Sequence, residues 1–382
     1  MSIRLLKILD ATVGLFLCWA GGRLLYLFHR EAAFSKFRAE DIKRVLVIRP
    51  GGLGDMVLLQ AMLKKLHDNY PHAVIDLICE RRNEEVLKLS TFPVNVFTYD
   101  GHPFRLLRRL WSGGYDVAID SEQFHYFSAV MALLSRAPIR IGYKINPGRN
   151  PIYTHLITYD LEGYEADEFM KLLVPFGISG QAQVSGCLAC RDVHLPDDLG
   201  GQLAKLKLNS NRLILVHVGA SIRYKTWALA NFVELVRGLC QNTGHVVVLV
   251  GDRNDRVLAN RVAAQCEMSE RVMVLAGRLS ISQTAKILMS ADLFVGGDSG
   301  LAHLASAFDI PAVVMFGPSD AKKWSRGSDR AAVVRKAMAC SPCFIFGYHK
   351  YCRTIACMEQ VGVAEVMEAC CKVTSAASGS RL

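Results

Sequence analysis

Short apolar, β-branched runs recur along the chain, each closing on a glycine turn and followed by a stretch with helical spacing. The first is Arg44-Val-Leu-Val-Ile48. A run this apolar predicts a strand covered on both faces, as in a parallel sheet. It leads into Arg49-Pro-Gly-Gly-Leu-Gly54-Asp55, after which positions 56–70 carry an amphipathic helical pattern that Pro71 closes. Positions 73–79 supply the next strand. Right-handed crossover makes the unit a parallel βαβ. Positions 116–120 and 139–142 read as further short strands of the same sheet.

The series then begins again. Positions 213–218 predict a strand, Gly219 a turn and positions 228–242 a helix. A strand over 245–250 ends at Gly251-Asp252, and 255–266 is helical. Strands over 272–275 and 293–295 bracket a helix over 282–290, and 312–316 is another strand. A polar, less periodic stretch over 179–211, with Pro196-Asp197-Asp198 inside it, separates the two series. The fold predicted is α/β, two Rossmann-like doubly wound domains facing a cleft, over 41–190 and 210–370. A leader occupies 1–40, and the Ser-rich end, 371–382, reads as a flexible tail.

Composition sharpens the picture at the leader. The chain of 382 residues has 45 Lys and Arg against 35 Asp and Glu, a net charge of +10 that favours anionic partners. Residues 1–50 hold nine basic side chains and four acids, 9 − 4 = +5, half of that excess. Among them runs an apolar stretch from Ala11 to Phe28, interrupted by Gly21, Gly22 and Arg23. A spanning helix wants about 20 apolar residues without such a charge. The leader therefore predicts a helix lying at a membrane surface, anchored by Trp19, Tyr26 and flanking Arg and Lys. A helix packed against the protein is the alternative. Nucleic-acid binding is disfavoured, because the basic charge sits beside apolar residues and no aromatic-rich binding motif accompanies it.

Twelve scattered cysteines in a chain of this size do not read as a secreted disulfide scaffold, and a reducing cytoplasm is the simpler account. Cys187 and Cys190 form one close pair. Cys340, Cys343, Cys352 and Cys357 form a group whose spacing permits a tetrahedral metal site without requiring one. No metal or cofactor is expected.

The candidate chemistry lies at the glycine turns. Gly51, Gly52 and Gly54 let a ligand approach the backbone, and Asp55 opens the following helix as either a helix cap or a general base. The turn is not G-x-G-x-x-G and lacks the Lys of a P-loop, which argues against a nicotinamide enzyme. In Phe294-Val-Gly-Gly-Asp298-Ser299-Gly300-Leu-Ala-His303, a strand meets a helix start whose free amides and hydroxyl suit a diphosphate. Asp298 would orient that loop or a sugar hydroxyl, and His303 would help hold it. After the strand ending at His217, Gly219-Ala220-Ser221 brings backbone close to a ligand, and Lys225 offers a point charge for phosphate, with Arg223 a second candidate. Asp255 is spaced to reach a ribose or simply to start a helix.

In this order the pieces resemble the lipopolysaccharide heptosyltransferases, glycosyltransferases of the GT-B fold, over about residues 43–370. Ile48-Arg-Pro-Gly-Gly-Leu-Gly-Asp55 looks like the family's amino-terminal motif, whose Asp is the proposed base. Val218-Gly-Ala-Ser221 with Lys225-Thr-Trp227 is similar to its phosphate-contacting segment. Gly297-Asp-Ser-Gly-Leu-Ala-His303 matches its diphosphate loop, with Ser299 where Thr is commoner. Asp255 stands where members often carry a ribose-bonded Glu.

The resemblance implies metal-independent, inverting transfer from ADP-heptose to a lipid-linked lipopolysaccharide core acceptor, by a cytoplasmic enzyme peripheral to the inner membrane. Asp55 would be catalytic together with Lys225. The donor would be held by Gly54, Ser221, Lys225, Asp255, Asp298, Ser299, Gly300 and His303. Arg105, Arg108, Arg109, Arg136, Arg140, Lys144 and Arg149 are candidates to meet an acidic acceptor. A same-fold transferase using another nucleotide sugar for O-antigen or capsule, or a non-catalytic sugar-nucleotide-binding member, are the alternatives.

Overall fold

A computed structural model describes residues 8–28, 42–101, 103–208, 212–345, 348–349, 352 and 354–379. The chain divides into two compact units, Met1–Cys187 and Leu188–Leu382.

The first unit is built on a parallel sheet of β1 (Arg44–Arg49), β2 (Val74–Cys79), β3 (Asn95–Thr98), β4 (Val117–Asp120), β5 (Ile139–Tyr143) and β6 (His155–Ile157). Its strand order is β3-β2-β1-β4-β5-β6. The helices that concern the site and its surroundings are α1 (Leu15–Phe28), α2 (Leu53–Asn69), α3 (Pro103–Ser112), α4 (Tyr126–Leu134) and α5 (Glu165–Lys171). The chain steps outward from β1 to β2 through α2 and the opposite way from β4 to β5 through α4. Right-handed crossovers therefore place those helices on opposite faces, and both faces of the central strands are covered. That is why β1 and β4 are apolar almost throughout and nearly fully buried.

The leader is seated on this unit. A π-helical turn, Asp10–Gly14, runs into α1. The positions it buries, Asp10, Gly14, Cys18 and Gly22, recur every fourth residue and form one narrow stripe. A Cβ on Gly14 would stand 2.8 Å from Tyr126 Cβ, and one on Gly21 would stand 2.3 Å from Leu133 Cδ2. These glycines are thus required for the helix to lie this close to α4. Asp10 accepts hydrogen bonds from the amides of Tyr126 (3.1 Å) and Phe127 (2.8 Å), so it caps α4 from another part of the chain. It also faces His125 Nδ1 at 3.3 Å. Residues 1–7 and 29–41, with Arg4, Lys7, Arg30, Lys36 and Arg38, and the Tyr26 side chain lie outside the described residues.

The second unit repeats the plan. β7 (Leu213–His217), β8 (Val246–Val250), β9 (Val272–Val274), β10 (Leu293–Gly297), β11 (Ala312–Phe316) and β12 (Ala331–Arg335) form a parallel sheet ordered β12-β11-β10-β7-β8-β9. Counted from its own first strand, this is the order of the first sheet. Helices α6 (Leu229–Thr243), α7 (Arg256–Cys266), α8 (Ile281–Leu288), α9 (Gly300–Ala307) and α10 (Val363–Gly379) belong to it. Where a flexible tail from 371 was expected, α10 continues to Gly379. Val366, Cys370 and Val373 form one apolar stripe buried against the sheet, and that burial outweighs the polar composition of the last turns.

Candidate active site

In both sheets the strand order reverses beside the first strand, between β1 and β4 and again between β7 and β10. Diverging connections leave a crevice at the carboxyl ends of such strands, where ligands bind in open α/β sheets. The residues singled out for the base and the donor lie at the loops beside these two points.

In the first unit, Gly52 is the N-cap of α2, Gly54 lies in its first turn and Asp55 is the third helical residue. Asp55 Oδ2 accepts the Gly52 amide at 2.9 Å, and Oδ1 faces Arg49 Nη2 at 2.8 Å. Asp55 is therefore not the N-cap itself but bonds back to it from the third helical position, and its side chain keeps 17% of its surface exposed. Arg49 is the residue that sequence reasoning left unassigned. Its buried guanidinium donates to Ser121 O (2.6 Å) and Gln123 Oε1 (3.2 Å), so it ties the end of β1 to the loop after β4. Burial works against its charge, but Asp55, Glu122 and Glu165 outweigh that and raise its pKa above the ordinary value. An Arg closing the apolar run over 45–48, directly before a Pro-Gly-Gly turn, was the signal available.

Several basic residues named for the acceptor serve the fold instead. Arg149 is fully buried and donates to Asp120 Oδ2 at 2.6 Å and to Tyr153 Oη at 2.7 Å. Arg140 is buried and donates to the carbonyls of Ala137 and Ile152. Arg109 donates to Asp76 at 2.7 Å. Arg149 and Arg109 are paired with acids inside the unit, Arg140 is held by carbonyls while burial lowers its pKa, and a solvated basic face is not what they form. Arg105, Arg108, Arg136 and Lys144 are exposed.

In the second unit, the loops after β7 and β10 converge. Lys225 ends a short turn, Arg223–Lys225, and its Nζ donates to Asp298 Oδ2 at 2.6 Å. The same Nζ lies 4.7 Å from the Phe344 ring centroid. Burial tends to raise the pKa of Asp298, but Lys225 and then His303 overcome this and hold the carboxyl below its ordinary value. His303 Nε2 is 3.9 Å from Asp298 Oδ1. Ser299 is the N-cap of α9 and makes no side-chain cap bond, so its hydroxyl does not occupy the first amides of the helix, while those of Ala302 and His303 bond to the Ser299 carbonyl. Its hydroxyl instead stands 3.1 Å from His217 Nδ1, at the end of β7. Asp255 precedes α7, accepts the Asp252 amide at 2.8 Å and faces His217 Nε2 at 3.5 Å. Its carboxylate lies against Gly219, where a Cβ would come within 2.0 Å of Oδ1. Gly219 is thus needed for Asp255 to reach His217. Ser221 and Arg223 are exposed on the turn beyond.

All twelve cysteines are free thiols. Cys340, Cys343, Cys352 and Cys357 line one apolar pocket with Tyr224, Pro318 and Phe344. Among the described residues no group of three His, Cys, Asp or Glu side chains is placed to hold a metal ion.

In the second unit a lysine, a hydroxyl and a helix start come together, groups whose chemistry suits an anion. The first unit supplies a fixed, reachable carboxylate. A family model, "Glycosyltransferase family 9 (heptosyltransferase)", matches residues 103–347. The chain is 26% identical over 324 residues to lipopolysaccharide heptosyltransferase 2 of Salmonella typhimurium, covering 80% of this chain and 90% of that one. The structure of the ADP-heptose lipopolysaccharide heptosyltransferase II of E. coli superposes with a TM-score of 0.68 at 23% identity, over 88% of this chain and 99% of that one. An E. coli heptosyltransferase solved with ADP-2-deoxy-2-fluoro heptose gives 0.63 at 18% identity, over 85% and 99%. These two structures share the two-unit α/β fold, the GT-B architecture.

Proposed function

Because the chain belongs to glycosyltransferase family 9, the heptosyltransferases, we propose that it moves a heptose from ADP-heptose to a lipid-linked lipopolysaccharide core acceptor, with inversion and without a metal. The observation that carries the reading is the meeting of Lys225, Asp298 and the start of α9 at the switch point of the second sheet. As the donor's glycosidic bond breaks, negative charge gathers on the leaving diphosphate. A cation, a hydroxyl and the amides of a helix start are groups suited to that charge. Asp298 keeps Lys225 in place. His303 backs Asp298, and Ser221 and Asp255 flank the nucleotide side. In the first unit Asp55 takes the proton from the acceptor hydroxyl as it attacks the anomeric carbon. Arg49 and the Gly52 amide fix the carboxylate's rotamer for that step.

A separate observation supports a cytoplasmic site peripheral to the inner membrane. Outside its docking stripe the leader exposes Ile8, Val13, Leu15, Phe16, Leu17, Trp19 and Leu24. On the same unit α3 exposes Phe104, Leu107 and Trp111, at spacing i, i+3, i+7. Arg23 lies 4.5 Å from the Trp19 ring and Arg136 4.9 Å from the Trp111 ring. No acid occurs between residues 11 and 28 or between 101 and 115. Both helices pack beside α4 on one core, so this face offers apolar and aromatic side chains rimmed by arginine to an anionic lipid surface. Among the described residues no helix is long and apolar enough to cross a membrane.

Calorimetric titration of the protein with ADP-heptose, beside UDP-, GDP- and CMP-sugars at one salt concentration, tests the donor. Selective ADP-heptose binding that weakens in Lys225→Ala and Asp298→Ala supports the proposal. Preference for another nucleotide keeps the fold and moves the enzyme to a different glycan.

A further inference from the structure

His217 belongs to no motif assigned above, yet it joins two loops of the donor site. Its Nδ1 stands 3.1 Å from Ser299 Oγ and its Nε2 3.5 Å from Asp255 Oδ2. The ring is buried at the end of β7, and Asp255 is brought to it across Gly219. A carboxylate only accepts, so the Nε2 facing Asp255 carries the proton. With a neutral ring, Nδ1 is then a bare acceptor and must take the Ser299 hydroxyl proton. In that state Ser299 offers only lone pairs to a ligand. The oxygens of a nucleoside diphosphate are themselves acceptors, so an unprotonated His217 turns Ser299 against the group it has to bind.

We infer that His217 takes up one proton when a nucleoside diphosphate binds, and that the His217–Asp255 pair thereby turns the Ser299 hydroxyl from its histidine to the phosphate. The inference rests on the donor reading above. The proton comes from solvent and adds to Nδ1, and no covalent bond other than this N–H changes. Nδ1–H then donates to Ser299 Oγ, Ser299 O–H donates to a phosphate oxygen, and the new positive charge on the ring is balanced by Asp255. Asp255 is suited to this, since burial raises its carboxyl pKa but the His217 contact overrides that and keeps it below its ordinary value. The other charged groups on these loops are Arg223, Asp252, Arg253, Lys225 and Asp298; Lys225 and Asp298 pair with each other, with His303 behind Asp298, and Asp252 accepts the amides of Asn254 and Asp255. The ring proton therefore adds a net positive charge as the diphosphate arrives, and gives it back when the nucleotide leaves. His217 is a positioning residue in this scheme, acting through Ser299.

Proton uptake is read directly by titrating the full chain with ADP near pH 8 in buffers of different ionisation enthalpy. Wild type should show a binding enthalpy that shifts with buffer, with a slope approaching one proton taken up. Its ADP affinity should fall by up to about tenfold per pH unit on the alkaline side, the limit for one linked proton. His217→Asn replaces Nδ1–H with a permanent amide donor. It should bind ADP with buffer-independent heat and a flattened pH profile. His217→Ala, with nothing to orient Ser299, should bind weakly at every pH. Buffer-independent heat in wild type that binds ADP would overturn the relay and leave the transferase reading standing. The same uptake persisting in His217→Asn would place the proton elsewhere and also overturn it. Failure of wild type to bind ADP at all would remove the nucleotide reading and the relay together.

Discussion

At the scale of single residues the two halves of the proposed chemistry separate cleanly. Asp55→Asn keeps the size and the helix-cap geometry but removes the base. It should lower kcat by about 10²–10⁴-fold and leave ADP affinity intact. A variant with near-normal turnover would dismiss Asp55 as the base. Lys225→Ala removes the only side-chain cation placed on the diphosphate loop by a described contact, and should lower kcat by about 10²–10³-fold. It also leaves Asp298 buried without its ion pair, so part of the effect should appear as lost stability. Arg149 predicts a purely structural effect. Its side chain and that of Asp120 are both essentially inaccessible, and Arg149→Leu should destabilise the fold by about 3–5 kcal/mol in urea unfolding. Removing the charge on both sides, in Arg149→Leu with Asp120→Leu, should recover much of that loss. Asp55, Lys225, Asp298 and Ser299 were legible because each follows a glycine turn within a few residues of a strand. The His217 contact was not. Its partners Ser299 and Asp255 lie 82 and 38 positions away, and only the strand order brings them together.

Elements differ in how much of themselves they declare. β1, β7, β8 and β11 lie inside their sheets, bury both faces and read as unbroken apolar runs. Of the four half-exposed edge strands, β9 was read from its apolar run, whereas β3, β6 and β12 were missed, since each is short and alternates with exposed positions or lacks a glycine turn to mark it. The leader showed its apolar character, and packing against the protein stood only as the alternative, because that attachment depends on small residues rather than large ones. That attachment carries a pH dependence. The hydrogen bond from His125 to Asp10 raises the histidine above its usual value against the opposing effect of burial, with Glu122 and Asp10 adding to the rise and Arg149 opposing it. The Asp10 carboxyl, which burial would raise, is lowered by His125 and the amides of Phe127 and Tyr126. A raised histidine stabilises fully below its unfolded value and loses that contribution as pH rises through its folded value. A lowered carboxyl stabilises above its unfolded value and loses it as pH falls through its folded value. The leader should therefore be clamped best at mildly acidic to neutral pH and released toward alkaline pH. Limited proteolysis within residues 8–28 should accelerate as pH rises, and His125→Gln should abolish that dependence. Cleavage rates that stay flat with pH in wild type would show that the pair does not hold the helix.

On the scale of the whole molecule, one topology is written twice without a detectable sequence repeat. Apolar strands, glycine turns and right-handed crossovers suffice to specify it, which is why the architecture could be read ahead of its details. Net charge acts at this scale too, and it separates two ways of meeting a membrane. The chain carries +10, and basic residues near an anionic surface contribute about 1 kcal/mol each. That attraction fades as the screening length shrinks from about 10 Å at 0.1 M salt to about 3 Å at 1 M. Insertion of Phe16, Trp19, Phe104 and Trp111 into the headgroup boundary is a hydrophobic contribution that salt does not screen. Wild type should therefore sediment with phosphatidylglycerol vesicles at low salt and retain a residual fraction at 1 M. A variant with those four residues changed to Ser should bind only at low salt and dissociate fully at high salt. Changing Arg23, Arg105, Arg108 and Arg136 to Gln should do the reverse, lowering binding at low salt while leaving the high-salt fraction unchanged. If the aromatic variant behaves as wild type at both salts, the face rests on something other than lipid. A concentration-dependent change in molar mass without vesicles would then identify it as a contact between two copies of this chain.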